Sequence, residues 1–270
     1  MDFSHDAYGS WALVAGAAEG LGAAFSTKLA ERGMNLVTVD FNPVSLEETA
    51  ERLQEKYGIE VRPKVIDLAG PEAWKQCMEE IRGLDCRLLV YVAAYSHVAP
   101  FLEYFHSELD RCIKVNAETV INLTHAFSAT LKSAGTPGGI LLMSSLSGVV
   151  ATPFVAPYAA TKAFNIRLAE ALWSELSLSG IRISACTAGI ITTQRFRDSG
   201  PAEGRLRKMM MSPEAVADYA LRKLGTRPVI TPGWKNRLSY FFLTRMLPRT
   251  LALRIVASSM KKLYPDRNNQ

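Results

Sequence analysis

Three side chains have the types and spacing for proton chemistry at a carbon–oxygen bond. Tyr158 and Lys162 stand four residues apart in Tyr158-Ala-Ala-Thr-Lys162, where a helix is predicted to begin, so they share one helical face. A free phenol titrates near ~10 and is no base at neutral pH. An adjacent ammonium, helped by an oxidised nicotinamide, lowers that by about one to three units and makes the phenol a proton acceptor. With nine tyrosines in 270 residues the pair alone is a weak signal. Ser145 supplies the support: it lies thirteen residues earlier, just beyond an apolar strand, where its hydroxyl polarises a carbonyl beside the tyrosine. Its neighbour Ser144 is expected to point away.

These groups need a scaffold that brings a strand end and a helix start together. Apolar runs recur at Trp11–Ala15, Asn35–Asp40, Val61–Asp67, Leu88–Ala93, Ile140–Ser144 and Arg182–Thr187. Helical spacing fills about 20–32, 45–57, 71–82, 107–133 and 157–178. Strand–helix alternation predicts an α/β fold: a single Rossmann-like domain, a doubly wound parallel sheet whose crevice opens at the carboxyl ends of the strands. Residues 1–225 are assigned to it, with a lid loop over 189–212 before a helix capped by Ser212-Pro213. Residues 226–270 form a basic, apolar, helical extension.

The turn Gly16-Ala-Ala-Glu-Gly20-Leu21-Gly22 follows the first strand and opens the first helix. Residues without Cβ let backbone approach a pyrophosphate, and the helix N-terminus attracts it. Asp40 ends the second strand, 18 residues past Gly22, near the spacing at which a carboxylate holds adenosine ribose hydroxyls. It repels a 2′-phosphate, and Phe41, Asn42 and Pro43 bring no cation to attract one, so the predicted cofactor is NAD. Asp67 and Leu68 close the third strand where an adenine edge would lie.

With these residues the chain resembles the short-chain dehydrogenase/reductase family over about residues 8–225. The resemblance places the family's glycines on Gly16, Gly20 and Gly22 and its catalytic Ser, Tyr and Lys on Ser145, Tyr158 and Lys162. Its helix asparagine falls on Asn116, which it implies holds a water in a proton relay running from Tyr158 through the ribose and Lys162. Ala93 is implied to line the cofactor, and Ile191 and Thr193 to bond the nicotinamide carboxamide. Three departures stand out: Ala15 for the usual Thr, Tyr91-Val-Ala-Ala94 for Asn-Asn-Ala-Gly, and Ala188 for Pro. The first two positions are thought to brace one another, so their joint loss points to a variant scaffold.

Tyr8-Gly-Ser-Trp-Ala-Leu-Val-Ala-Gly, Glu55-Lys-Tyr-Gly-Ile-Glu and Tyr91-Val-Ala-Ala with His97 are similar to bacterial hydroxysteroid dehydrogenases acting on bile acids. This implies a secondary alcohol or ketone on a lipophilic ring system. His97, Phe196 and Met209 are the candidate substrate-pocket residues. A 3-oxoacyl or small carbonyl reductase is the alternative. A non-catalytic NAD-sensing or membrane-surface binding protein on the same fold is the second.

Composition narrows the class further. Met1–Ser10 has neither a signal peptide nor an anchor pattern, and four cysteines without C-x-x-C spacing read as free thiols. The expected setting is cytoplasmic, with no metal and no nucleic-acid partner, and the family resemblance implies a homodimer or homotetramer. Charge is uneven: residues 205–270 hold 14 Lys/Arg against 3 Asp/Glu, and the remainder 17 against 23. The extension is therefore expected to cover the pocket, meet another subunit or lie on a membrane surface.

Overall fold

The computed structural model describes residues 5–201 and 210–265. Seven parallel strands form one sheet in the order β3-β2-β1-β4-β5-β6-β7: β1 Trp11–Ala15, β2 Asn35–Asp40, β3 Val61–Val65, β4 Cys86–Tyr91, β5 Gly138–Ser145, β6 Ile181–Ala188 and β7 Val229–Ile230. The single doubly wound sheet is the fold expected from the sequence.

Every residue of β1 is buried, as a central strand covered on both faces requires. One face packs Phe25, Leu29, Leu46 and Leu53; the other packs Leu123, Phe127, Ile166 and Ala169. Pro63, which cannot donate to a ladder, sits in the edge strand β3.

Helices α1 His5–Tyr8, α2 Gly20–Ala30, α3 Pro43–Tyr57 and α4 Ala73–Glu80 precede α5 His106–Ile113 and α6 Thr119–Ala134. The chain continues with α7 Ala156–Glu175, α8 Gln194–Asp198, α9 Pro213–Lys223, α10 Trp234–Phe241 and α11 Arg249–Leu263. The capped start at 212–213 is present: Ser212 accepts from the Ala215 amide at 3.2 Å, with Pro213 at the first helical position.

Two expectations change. The helix expected over 107–133 is two helices joined by one π turn, Lys114–Glu118. The segment 189–212 is not plain loop: it carries α8, and Ile191 bridges Met211 in parallel. Among the described residues no helix is long and apolar enough to cross a membrane.

Candidate active site

The strand order reverses at β1, between β2 and β4, so the crossovers leave in opposite directions and a crevice opens at the strands' carboxyl ends. A cavity of about 560 Å³ lies there. Gly16, Gly20, Leu21, Gly22, Asp40, Asp67, Leu68, Ala93, Tyr158 and Thr193 all line it.

At its floor the chain is too close for side chains. A Cβ on Gly22 would stand 1.6 Å from the Gly16 carbonyl oxygen, and one on Gly16 would stand 2.5 Å from the Ala93 nitrogen. Gly16 also has φ of +87°, which a side chain rarely adopts. The first turn of α2 has no side-chain cap, so its positive end faces the cavity. Asp40 is fixed by backbone amides: Oδ2 accepts from Ala18 at 3.0 Å, and Oδ1 from Phe41 at 2.8 Å and Asn42 at 3.2 Å. A glycine cradle, an open helix end and a fixed carboxylate fit the pyrophosphate and ribose of a dinucleotide.

Arg111 also reaches this cavity, from α5. Its guanidinium forms two bonds to Asp67, at 3.0 and 3.1 Å, and lies 5.8 Å from the centre of the exposed Phe41 ring. The local sequence after Asp40 therefore understated the positive charge at the adenosine end. No short-range pattern marks Arg111, because its partner Asp67 is 44 residues away.

At the opposite end, Ser145 closes β5 and Tyr158 and Lys162 lie on α7. Gly148 lets the β5–α7 connection touch the helix, since a Cβ there would sit 2.5 Å from the Lys162 carbonyl carbon. Ser144 is turned away, donating to the Lys162 carbonyl at 2.7 Å. Ser145 accepts from the Ser147 amide at 3.1 Å and hydrogen-bonds the Tyr158 phenol.

Lys162 is 2% exposed and its Nζ donates to the Met143 carbonyl at 2.8 Å. Burial pulls its pKa down to about 8, while Cys112 acts the other way. Burial also pushes the Tyr158 phenol above its ordinary value, and the Ser145 hydrogen bond opposes that rise. The ammonium lies 5.5 Å from the ring centre and is committed to Met143, and Ser145 supplies the lowering influence.

Asn116 is fully buried in the π turn. Its Oδ1 accepts from the Tyr95 amide at 2.7 Å, and its Nδ2 donates to the Tyr95 carbonyl at 2.8 Å and to Thr161 Oγ1 at 3.1 Å. The turn is held by Tyr91, whose buried hydroxyl donates to the Val115 carbonyl at 2.6 Å. Tyr91 pairs with Ala15 across β4 and β1. The two residues that depart from the family pattern are thus neighbours, and the larger one braces the asparagine turn.

Of the catalytic candidates only Tyr158 lines the cavity; Asn116, Ser145 and Lys162 stand behind it, and the remaining described candidates also lie outside the lining. Ile191 packs on the core beside Met211, two residues from Thr193. His97 Nδ1 lies 2.8 Å from Glu108 Oε1, and its ring meets Tyr104 in a tilted contact with centroids 5.4 Å apart. Phe196 is half-buried on α8, its amide bonded to Thr193 Oγ1 at 3.2 Å. Met209 lies outside the described residues.

A doubly wound parallel sheet with a glycine-lined cleft and a Ser–Tyr–Lys set at its rim defines an oxidoreductase that uses a nicotinamide dinucleotide. The chain belongs to the short-chain dehydrogenase family, whose model matches residues 10–204. It is 29% identical over 233 residues to a 7beta-hydroxysteroid dehydrogenase of Collinsella aerofaciens, covering 85% of this chain and 88% of that one. A very-long-chain 3-oxoacyl-CoA reductase of Podospora anserina is 28% identical over 273 residues, covering 97% and 78%. Among solved structures, a 7beta-hydroxysteroid dehydrogenase superposes with a TM-score of 0.87 at 27% identity, covering 93% of this chain and 98% of that one. A short-chain dehydrogenase of Sphingobium yanoikuyae in complex with NADPH gives 0.74 at 26% identity, covering 82% and 86%.

Proposed function

We propose that the protein interconverts a secondary alcohol and a ketone on a lipophilic, steroid-like substrate with NAD(H). The observation that carries this is the Tyr158 phenol at the rim of the dinucleotide-shaped cavity, hydrogen-bonded to Ser145 with Lys162 one turn behind it. The bound nicotinamide supplies or accepts the hydride. Tyr158, as the phenolate, takes the alcohol proton in oxidation and, as the phenol, gives it to the ketone oxygen in reduction. Ser145 donates to the substrate oxygen as its charge develops. Lys162 holds positive charge at the foot of the site, and Asn116 fixes the α5–α6 turn against Tyr95.

NAD is preferred over NADP because the fixed Asp40 carboxylate faces the adenosine end. Arg111 offers little counterweight, since Asp67 engages it twice. The NADPH complex of a relative keeps the phosphorylated cofactor as the competing reading. The hydroxysteroid relatives support a bulky ring substrate, and the 3-oxoacyl-CoA reductase relative supports an acyl thioester as the second reading. Residues 189–212 act as the substrate lid, with Phe196 on its short helix.

The test is a panel of steroid alcohols, 3-oxoacyl thioesters and simple secondary alcohols, each with NAD and NADP, followed at the nicotinamide absorbance. Turnover of steroid alcohols with NAD, abolished in Tyr158→Phe while NAD still binds, is the expected result. Turnover of thioesters alone overturns the substrate, a preference for NADP overturns the cofactor, and an active Phe variant overturns the proton chemistry.

A further inference from the structure

We infer that α10, α11 and the π turn between them form a docking face for an anionic membrane surface. Residues 234–265 contain seven Lys/Arg and no Asp/Glu. Within them Trp234, Leu238, Phe241, Phe242 and Met246 are 64%, 48%, 50%, 45% and 59% exposed. Each keeps close to half or more of its surface in solvent. On a helix turning ~100° per residue, Trp234, Leu238 and Phe241 fall within an arc of about 60°. Lys235 and Arg237 stand on its two flanks. Asn236 points the opposite way, buried, donating to the Pro232 carbonyl at 3.0 Å. The helix therefore keeps its polar amide inside and its aromatic edge outside, the reverse of a helix that only covers a core. On α11, Leu251 and Ile255 are exposed as well, with Arg254 beside them in sequence.

Charge chooses the occupant. A second copy meeting this face with its own would bring seven cations against seven of the same sign. An acidic bilayer supplies opposite charge to the flanks and an acyl boundary to the stripe, which is how interfacial helices bind. Aromatic residues suit that depth. No helix among the described residues can span the bilayer, so the contact is peripheral. The face is anchored to the catalytic domain rather than hanging from it. Arg249 Nη1 donates to the Val149 carbonyl at 3.1 Å, on the loop that follows Ser145, and Tyr264 Oη meets Ser199 Oγ at 2.9 Å beside α8. Docking would thus hold the substrate end of the cleft near the surface where lipophilic molecules partition. The inference does not depend on which substrate is turned over.

The 270-residue chain is floated with vesicles of phosphatidylcholine alone and with about one-third phosphatidylglycerol, at low and high salt. At least a ~10-fold preference for the anionic vesicles, lost in high salt, is expected. The variant Trp234→Ser/Leu238→Ser/Phe241→Ser, altered only at exposed positions, is expected to lose it while keeping its thermal midpoint and NAD binding. No binding to either vesicle overturns the inference, as does equal binding to both. A native oligomer that the triple variant converts to monomer, with unchanged vesicle binding, assigns the face to a subunit contact and also overturns it.

Discussion

Lys162→Met should make the protein more stable at neutral pH and inactive. Methionine keeps the length of the aliphatic stem and removes a cation that is 2% exposed. Burial holds that ammonium at about 8 against an ordinary 10.5, a difference worth about 3 kcal/mol at ~1.36 kcal/mol per pH unit. The lost hydrogen bond to the Met143 carbonyl returns about 1 kcal/mol, since Asn165 offers that oxygen only a 3.5 Å contact. The net gain is about 2 kcal/mol near pH 7. At ~2.1 cal/mol/K per residue, a chain of this length gains about 3–4 °C in thermal midpoint.

The pH dependence separates this account from a general packing effect. Below the folded value of about 8, both folded and unfolded chains carry the proton, and the native state bears the full burial cost. Between about 8 and 10.5 the unfolded chain keeps its proton while the native lysine loses it, so wild-type stability rises with pH. The variant has no such rise, and its advantage should shrink across that window. Denaturant melts of both proteins from pH 7 to 10 read the difference directly. A variant less stable at pH 7, with a difference flat in pH, would refute the reasoning.

Tyr91→Phe removes the hydroxyl that holds the Val115 carbonyl and should cost about 1–3 kcal/mol. It should also lower kcat with KM little changed, because Asn116 loses its fixed turn; unchanged turnover in a destabilised variant would make the bond merely structural. Asp40→Ala should raise the kcat/KM ratio of NADP over NAD by at least ~10-fold, equivalent to about 1.4 kcal/mol, in paired cofactor titrations. Gly22→Ala should abolish cofactor binding, read by tryptophan quenching, since its methyl meets the Gly16 carbonyl at 1.6 Å.

Much of this architecture was legible because its signals are local. β1, β2, β5 and β6 are near-continuous apolar runs, and a strand buried on both faces leaves no other pattern. β7 is two residues long and carries no periodicity to read. β4 ends at Tyr91 rather than Ala93 because the Val92 and Ala93 amides both turn to the Ala15 carbonyl, at 2.8 and 2.9 Å. The π turn was invisible for a different reason: one extra residue in a turn shifts the apolar stripe without interrupting it. Ser145, Tyr158 and Lys162 could be paired from spacing because one strand end and one helix start carry them. Arg111 and Tyr91 could not, since their partners Asp67 and Val115 are 44 and 24 residues away.

Tyr91 shows how a departure from a family pattern is absorbed. A small polar residue at the end of β4 can only reach its neighbour on β1; where that neighbour is Ala15, nothing remains to hydrogen-bond. A tyrosine at the same place reaches past the sheet, and with Ala15 beside it there is room for the ring. Its hydroxyl lands on the Val115 carbonyl, in the turn whose irregular bonding leaves that oxygen available to a side chain. The two substitutions therefore belong together: restoring a polar residue at one position alone would crowd the ring or orphan the carbonyl. Bracing is moved from the sheet to the π turn itself, directly beside Asn116.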